Sequence, residues 1–164
     1  MLYFAYGSNL DSEQMRSRCP GCHDVGLAAL RDHRLSFPRH SDDWDGGVGS
    51  PALAHGHDLW GYLYDITDQD KAELDRYEGW IAPDDPGNAY LPETITVDLV
   101  RPDDDSPPRR VRALTYIARA TEAKLPSRRY LDVILKGARA RALPEEYLAE
   151  LNVLPVADPE VPST

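Results

Sequence analysis

Glu78 stands in the run LDRYEGW, in the last turn of a helical pattern, with Gly79 behind it in the position of a C′ glycine. A carboxylate there meets the negative end of the helix dipole, where local rules prefer Lys or Arg. The dipole, together with burial near Tyr77 and Trp80, raises the pKa of such a group. A raised carboxylate pKa is what a general base and acid needs near neutral pH. The plainer reading is a solvated glutamate at a helix end. A second unusual place is AYGSNL, Ala5 to Leu10, where a strand-like run breaks into Gly-Ser-Asn. Gly7 lets the chain leave the strand sharply, and Ser8, Asn9 and Leu10 then turn main-chain N–H groups outward ahead of a helix. Such a terminus suits an anion or a developing oxyanion. A simple helix cap by Ser8, Asn9 or Asp11 fits the same residues.

CPGCH, Cys19 to His23, is the third candidate. CxxCH is a haem-attachment pattern, and CxxC also occurs as a redox pair or as half a zinc site. A redox pair opens a helix after a strand, whereas this one follows a helix. Zinc needs two further ligands, for which His33, His40, His55 and His57 are present, but no second CxxC or H-x3-H accompanies them. A Pro-Gly turn with two incidental thiols is the favoured reading. Ser8 lacks the G-x-S-x-G elbow of a hydrolytic nucleophile. Trp60, Tyr62 and Tyr64 alternate as sheet-packing residues do, and His55-Gly-His57 reads as loop surface.

The elements that must hold these residues are legible from periodicity. Strands are expected at Leu2–Tyr6, Val25–Leu30, Arg34–Phe37, Leu59–Tyr64, Thr94–Val100 and Val111–Ala118, the last two joined as a hairpin by RPDDDSPPR. Helices are expected at about Ser12–Arg18, at Asp68–Tyr77 with Thr67 and Asp70 as a variant capping box, and after Pro126 with Ser127 as cap. That third helix carries Tyr130, Leu131, Ile134, Leu135 and Ala138 on one face. A short fourth begins with Pro144 at its first position. Pro38–Pro51 and Ile81–Ala89 read as loops. The order of elements implies a mixed α+β domain with a curved or barrel-like sheet.

At 164 residues the chain suits one domain over residues 1–154, with a mobile tail over 155–164. Its formal charge of −10 opposes a nucleic-acid or anionic-membrane partner. No stretch approaches the roughly 18 apolar residues of a membrane span, and Leu2–Tyr6 is too short for a secretory signal core. The expected location is cytoplasmic.

Taken together, LYFAYGSNL, WGYLYDI, LDRYEGW and PSRRYLDVILKGARARALPEEYLAEL resemble, in order and spacing from Met1 to about Leu154, the γ-glutamylcyclotransferase family. The resemblance implies an α+β fold, a small mixed β-barrel flanked by helices, with one active-site cavity and no metal or cofactor. It implies release of 5-oxoproline from a γ-glutamyl amino acid or amine by attack of the substrate's own α-amine. Glu78 matches the family's catalytic glutamate. Tyr3, Phe4, Ala5, Tyr6, Gly7 and Ser8 match the loop that binds the γ-glutamyl moiety, with the main-chain N–H groups of Gly7 to Asn9 holding a carboxylate or an oxyanion. Tyr130 matches a substrate-lining tyrosine, and Tyr90 and Tyr116 stand where relatives also carry tyrosine. The loop IAPDDPGNA is longer and more acidic than the family pattern, and it bears on substrate choice. The implied partner is a small γ-glutamyl substrate, with homodimerisation open. Two alternatives stand beside this: the same fold acting on a specialised γ-glutamyl amine, a natural product or polyamine, and a non-catalytic ligand-binding protein.

Overall fold

Hydrophobic alternation and turn chemistry resolve into five strands and four α-helices in a computed structural model that describes residues 1–103 and 105–157. In chain order these are β1 (Leu2–Ala5), α1 (Ser12–Arg18), β2 (His23–Ser41), β3 (Gly46–Asp65), α2 (Asp68–Tyr77), β4 (Tyr90–Leu99), β5 (Arg109–Ala118), α3 (Arg128–Ala140) and α4 (Glu145–Asn152). A 3-10 turn, Ser8–Leu10, lies between β1 and α1. The strands close into a barrel in the order β1-β3-β2-β4-β5. Neighbours are antiparallel except at the closing seam, where β1 meets β5 in parallel at Tyr3 and Leu114. Closure removes the exposed edges that an open sheet would have to protect. The expected α+β class and helix-flanked mixed barrel are the observed architecture.

Three expectations need correction. Val25–Leu30 and Arg34–Phe37 are parts of one long strand, β2, bent by register shifts at Asp24/Gly26, Arg31/His33 and Ser36/Arg39. Such bulges let one strand turn a barrel corner while keeping its pairing. Pro38–Pro51 is not a loop: β2 continues to Ser41 and β3 begins at Gly46. Its glycines signal close approach of another backbone, since a Cβ on Gly47 would sit 1.9 Å from the carbonyl oxygen of Lys124. His55 and His57 are exposed as expected, but they belong to β3, where pairing jumps from Arg31–Asp58 to His33–Leu53.

Two apolar clusters hold the elements together. One packs Phe4, Leu59 and Leu63 of the barrel against Leu131, Ile134 and Leu135 of α3 and Leu148 and Leu151 of α4. The five residues expected on the apolar face of α3 are all buried. The other cluster joins Tyr3, Ala5 and Tyr64 to Met15, Cys19 and Leu74, so α1 and α2 pack on the opposite side of β1. Ser127 caps α3 by accepting from the Tyr130 N–H, while Pro144 sits at the N-cap of α4, one place before the expected position. Of the tail, residues 158–164 lie outside the described residues. Ala157 N–H donates to the Pro126 carbonyl at 2.9 Å, and Val156 packs against the main cluster. Among the described residues, no helix is long and apolar enough to cross a membrane.

Candidate active site

The capping box fixes the start of α2: Thr67 Oγ1 accepts from the Asp70 N–H, and Asp70 Oδ2 accepts from the Thr67 N–H. Gly79, at φ 67°, ends the helix in the left-handed region and leaves Glu78 as its C-cap. Glu78 thereby points a carboxylate away from the helix and toward the turn after β1. In that turn Leu10 N–H donates to the Gly7 carbonyl and Asp11 N–H to the Ser8 carbonyl. The Ser8 and Asn9 N–H groups are left without an acceptor among the described residues. Asp11 then caps α1 by accepting from Glu13 N–H at 3.4 Å.

Asn9 joins the two halves. Its Nδ2 donates to Glu78 Oε1 at 3.3 Å and to the Tyr3 hydroxyl at 2.9 Å. Its Oδ1 accepts from Gln14 Nε2 at 3.2 Å and from an Arg18 guanidinium nitrogen at 3.1 Å. Its carbonyl accepts from the Tyr64 hydroxyl at 3.0 Å. The two cationic or amide donors on the oxygen fix which way the amide faces, so its NH2 must meet the glutamate. Gln14 Nε2 also donates to Ser8 Oγ at 2.7 Å.

A ring of tyrosines closes the chamber. Tyr6 hydroxyl donates to the Tyr116 carbonyl at 2.5 Å, and Tyr90 hydroxyl to the Gly49 carbonyl at 2.8 Å. Gly49 N–H donates to the Tyr130 hydroxyl oxygen at 3.0 Å, which leaves the Tyr130 proton for a ligand. Tyr116 hydroxyl donates to Asp75, which also receives Lys71. Burial pushes the Tyr3, Tyr6, Tyr90 and Tyr130 hydroxyls well above the usual phenol range, so they stay protonated donors at neutral pH. Burial also pushes Glu78 up, to about 7, against the opposing pull of Arg18 and the Asn9 hydrogen bond. Removing the Arg18 charge, as in Arg18→Met, is expected to raise that value further. The acidic limb of kcat/KM for the turnover proposed below then moves to higher pH, read from a rate profile between pH 5 and 9.

These groups line an inner chamber of about 40 Å³, formed by Tyr3, Tyr6, Gly7, Ser8, Asn9, Gly49, Glu78, Tyr90, Tyr116 and Tyr130. It opens into an outer cavity of about 680 Å³, and Ser8, Glu78, Tyr90 and Tyr130 line both. Of the residues singled out in the sequence, Phe4 and Ala5 do not reach either space. Phe4 is fully buried in the main core with its ring against Gly61, and Ala5 packs in the second cluster. Gly49, Gln14 and Arg18 were not anticipated. Gln14 and Arg18 are four apart on α1 and so share the face toward Asn9, a spacing visible in the sequence. CPGCH lies apart from the chamber. Cys19 is buried with its Sγ 3.6 Å from the Asp70 carbonyl, and burial pushes its thiol up to about 12, which keeps it protonated.

A small barrel with a tyrosine-walled chamber, and the half-buried Glu78 carboxylate where that chamber meets the outer cavity, is the frame of a class of small enzymes, and comparison with known proteins places the chain within it. The AIG2-like family matches residues 58–151. γ-Glutamylcyclotransferase of Bos taurus is 30% identical over 155 residues, 92% of this chain and 77% of that protein. The Homo sapiens γ-glutamylcyclotransferase is 28% identical over 157 residues, covering 93% of this chain and 78% of that one. A solved structure of a γ-glutamyl cyclotransferase superposes with a TM-score of 0.85 at 26% identity, over 100% of this chain and 93% of the other. The chain belongs to the AIG2-like family and is an enzyme of the γ-glutamylcyclotransferase type.

Proposed function

We propose that the enzyme releases 5-oxoproline from γ-glutamyl conjugates, with Glu78 moving the protons. The observation that carries this is the placing of Glu78: a carboxylate with a pKa of about 7, held by Asn9, at the junction of a small chamber and a large cavity. The chamber has room for the compact charged end of a ligand, and the rest extends past Glu78 into the cavity. In the proposed reaction Glu78 takes a proton from the substrate's α-ammonium. The freed amine attacks the γ-carbonyl carbon, forming the ring C–N bond and an oxyanion. The oxyanion collapses, the original amide C–N bond breaks, and the proton on Glu78 passes to the departing amine. The ring nitrogen still carries one proton too many, and Glu78 relays that second proton to the freed amine, so Glu78 ends as it began and the products are 5-oxoproline and an ammonium.

Tyr3, Tyr6, Tyr90, Tyr116 and Tyr130, with the main chain of Gly7 to Asn9, are proposed to bind the γ-glutamyl group. The open N–H groups of Ser8 and Asn9 and the unspent Tyr130 proton suit its carboxylate or the oxyanion. Folding the substrate so that amine and carbonyl meet supplies several kcal/mol of the barrier, ~7 kcal/mol where orientation is good. A panel of γ-glutamyl amino acids and amines, incubated with enzyme and assayed for 5-oxoproline, tests this. Release from at least one conjugate is expected, and silence across the panel would sink the proposal.

A further inference from the structure

Arg141, the C-cap of α3, is the most deeply set of the ion-paired arginines among the described residues. Its side chain is 10% exposed, whereas the others run from 43% at Arg31 to 83% at Arg110. It lies over the rings of Tyr62 and Tyr64, 4.1 and 5.2 Å from their centroids, and its buried Nε meets no acceptor among the described residues. Its partner Asp24, at 3.0 Å, also receives Arg16 at 3.1 Å. Taking a guanidinium out of water costs about as much as such a pair returns, so stability alone is a weak reason to bury it. The terminal nitrogen that meets Asp24 has a second contact, the Tyr64 hydroxyl oxygen at 3.0 Å.

That second contact leads to the active site. With its oxygen taken by the guanidinium, the fully buried Tyr64 hydroxyl turns its proton to the Asn9 carbonyl, 3.0 Å away. A cationic donor on the oxygen polarises the hydroxyl and strengthens the bond it gives. The other end of the same peptide, the Leu10 N–H, donates to the Gly7 carbonyl at 3.0 Å, so the Asn9–Leu10 peptide is held at both ends. Asn9 in turn holds Glu78 through a bond of 3.3 Å, long enough that a small outward shift of its main chain would break it. Neither Arg141 nor Tyr64 lines the inner chamber or the outer cavity, so any effect they have on Glu78 passes through Asn9.

We propose that Arg141 is a positioning residue for this reaction: through the Tyr64 hydroxyl it fixes the main chain of Asn9, and so the aim of the amide that holds Glu78. The relay joins the C-terminal end of α3, strand β3, the turn after β1 and the end of α2. It rests on the reading of Glu78 as the proton carrier. It also gives Tyr64 a part beyond the sheet packing that its alternation with Trp60 and Tyr62 implies.

The test measures kcat, KM and melting temperature, using the γ-glutamyl conjugate of the panel above that the parent turns over fastest. Tyr64→Phe keeps the buried ring and removes the hydroxyl. Its kcat is expected to fall ~5- to 10-fold, the order of one hydrogen bond, with KM within about twofold of the parent. Arg141→Met keeps an apolar stem over the rings and should lower kcat ~3-fold or more. The double variant should be no slower than Tyr64→Phe, because both changes act on one bond. Asp24→Asn neutralises the ion pair but leaves the relay, and should keep kcat within about twofold of the parent. An unchanged kcat in Tyr64→Phe, a loss carried by KM, or additive losses in the double variant overturns the proposal. A loss in Asp24→Asn as large as in Arg141→Met also overturns it, by making Arg141 a structural ion-pair partner. All of these leave Glu78 as the proton carrier so long as Glu78→Gln is slow. A Glu78→Gln enzyme near the parent rate, or a parent silent on every conjugate, overturns both.

Discussion

Glu78→Gln is expected to fold like the parent and to release 5-oxoproline roughly a thousand-fold more slowly, within the range for loss of a positioned acid/base group. The carboxamide keeps the shape, and its oxygen can still accept from Asn9, so the geometry in which Glu78 Oε1 lies 3.3 Å from Asn9 Nδ2 is preserved. What it loses is the ability to carry a proton between two nitrogens. The same variant has a predictable stability signature. The folded-state pKa of about 7 lies above the ordinary glutamate value of about 4.3, so the native state binds more protons than the unfolded one between those pH values. Parent stability therefore falls as pH rises through that window and stays lowered above it, and glutamine has no such dependence. Thermal melts at pH 5 and pH 8 should show the variant gaining on the parent at the higher pH. Near-normal turnover would remove Glu78 from the mechanism. Lost turnover with a collapsed melt at both pH values would assign it a structural role instead.

Gly137→Ala is expected to destabilise the fold by about 2–3 kcal/mol and lower the melting temperature by roughly 5–10 °C. Its sign is the informative part. In an open helix interior, alanine is favoured over glycine by about 1 kcal/mol, so the substitution would normally stabilise. Here α3 crosses the opening turn so closely that a Cβ on Gly137 would lie 2.4 Å from Asp11 N and 2.4 Å from the Leu10 carbonyl carbon. Both are backbone atoms that no rotamer change can move. The helix must back away from the turn, and the turn carries Asn9. Activity measured well below the melting temperature should fall too, because Asn9 would no longer hold Glu78 in place. A variant as stable as the parent would show that the two backbones are not in contact in solution.

The parts of this fold that were legible in the sequence are those governed by local rules. The capping box at Thr67 and Asp70, the Ser127 cap, the apolar face of α3 and the β4–β5 hairpin each follow from a few consecutive residues. The long β2–β3 hairpin was not legible, because its glycines resemble loop residues until the segment 124–127 that presses on them is in view. The site divided along the same line. Glu78 stood out because it contradicts the helix dipole, and the Gly-Ser-Asn turn because of its composition. Gly49 stayed hidden among glycines, and its part depends on hydroxyls from Tyr90 and Tyr130, 41 and 81 residues away. Phe4 and Ala5 were included by contiguity with a matching motif. Each shares its strand face with a chamber tyrosine, Phe4 with Tyr6 and Ala5 with Tyr3, but both side chains are buried in the packed interior instead.

The parallel seam between β1 and β5 has a kinetic consequence. The first strand is locked only when the fifth arrives, and the Tyr6 hydroxyl reaches its acceptor across 110 residues of chain. Proteins dominated by such distant pairings have high contact order and fold slowly, because loop closure must precede the contacts that reward it. In this molecule the chamber is complete only after that closure, when α3 docks and brings Tyr130 to the wall that Tyr116 of β5 has joined. A chain released early from the ribosome, or opened locally by a protease, has no partial activity to offer. Turnover then reports on the whole barrel, and a loss of it that tracks global unfolding needs no separate failure at the site.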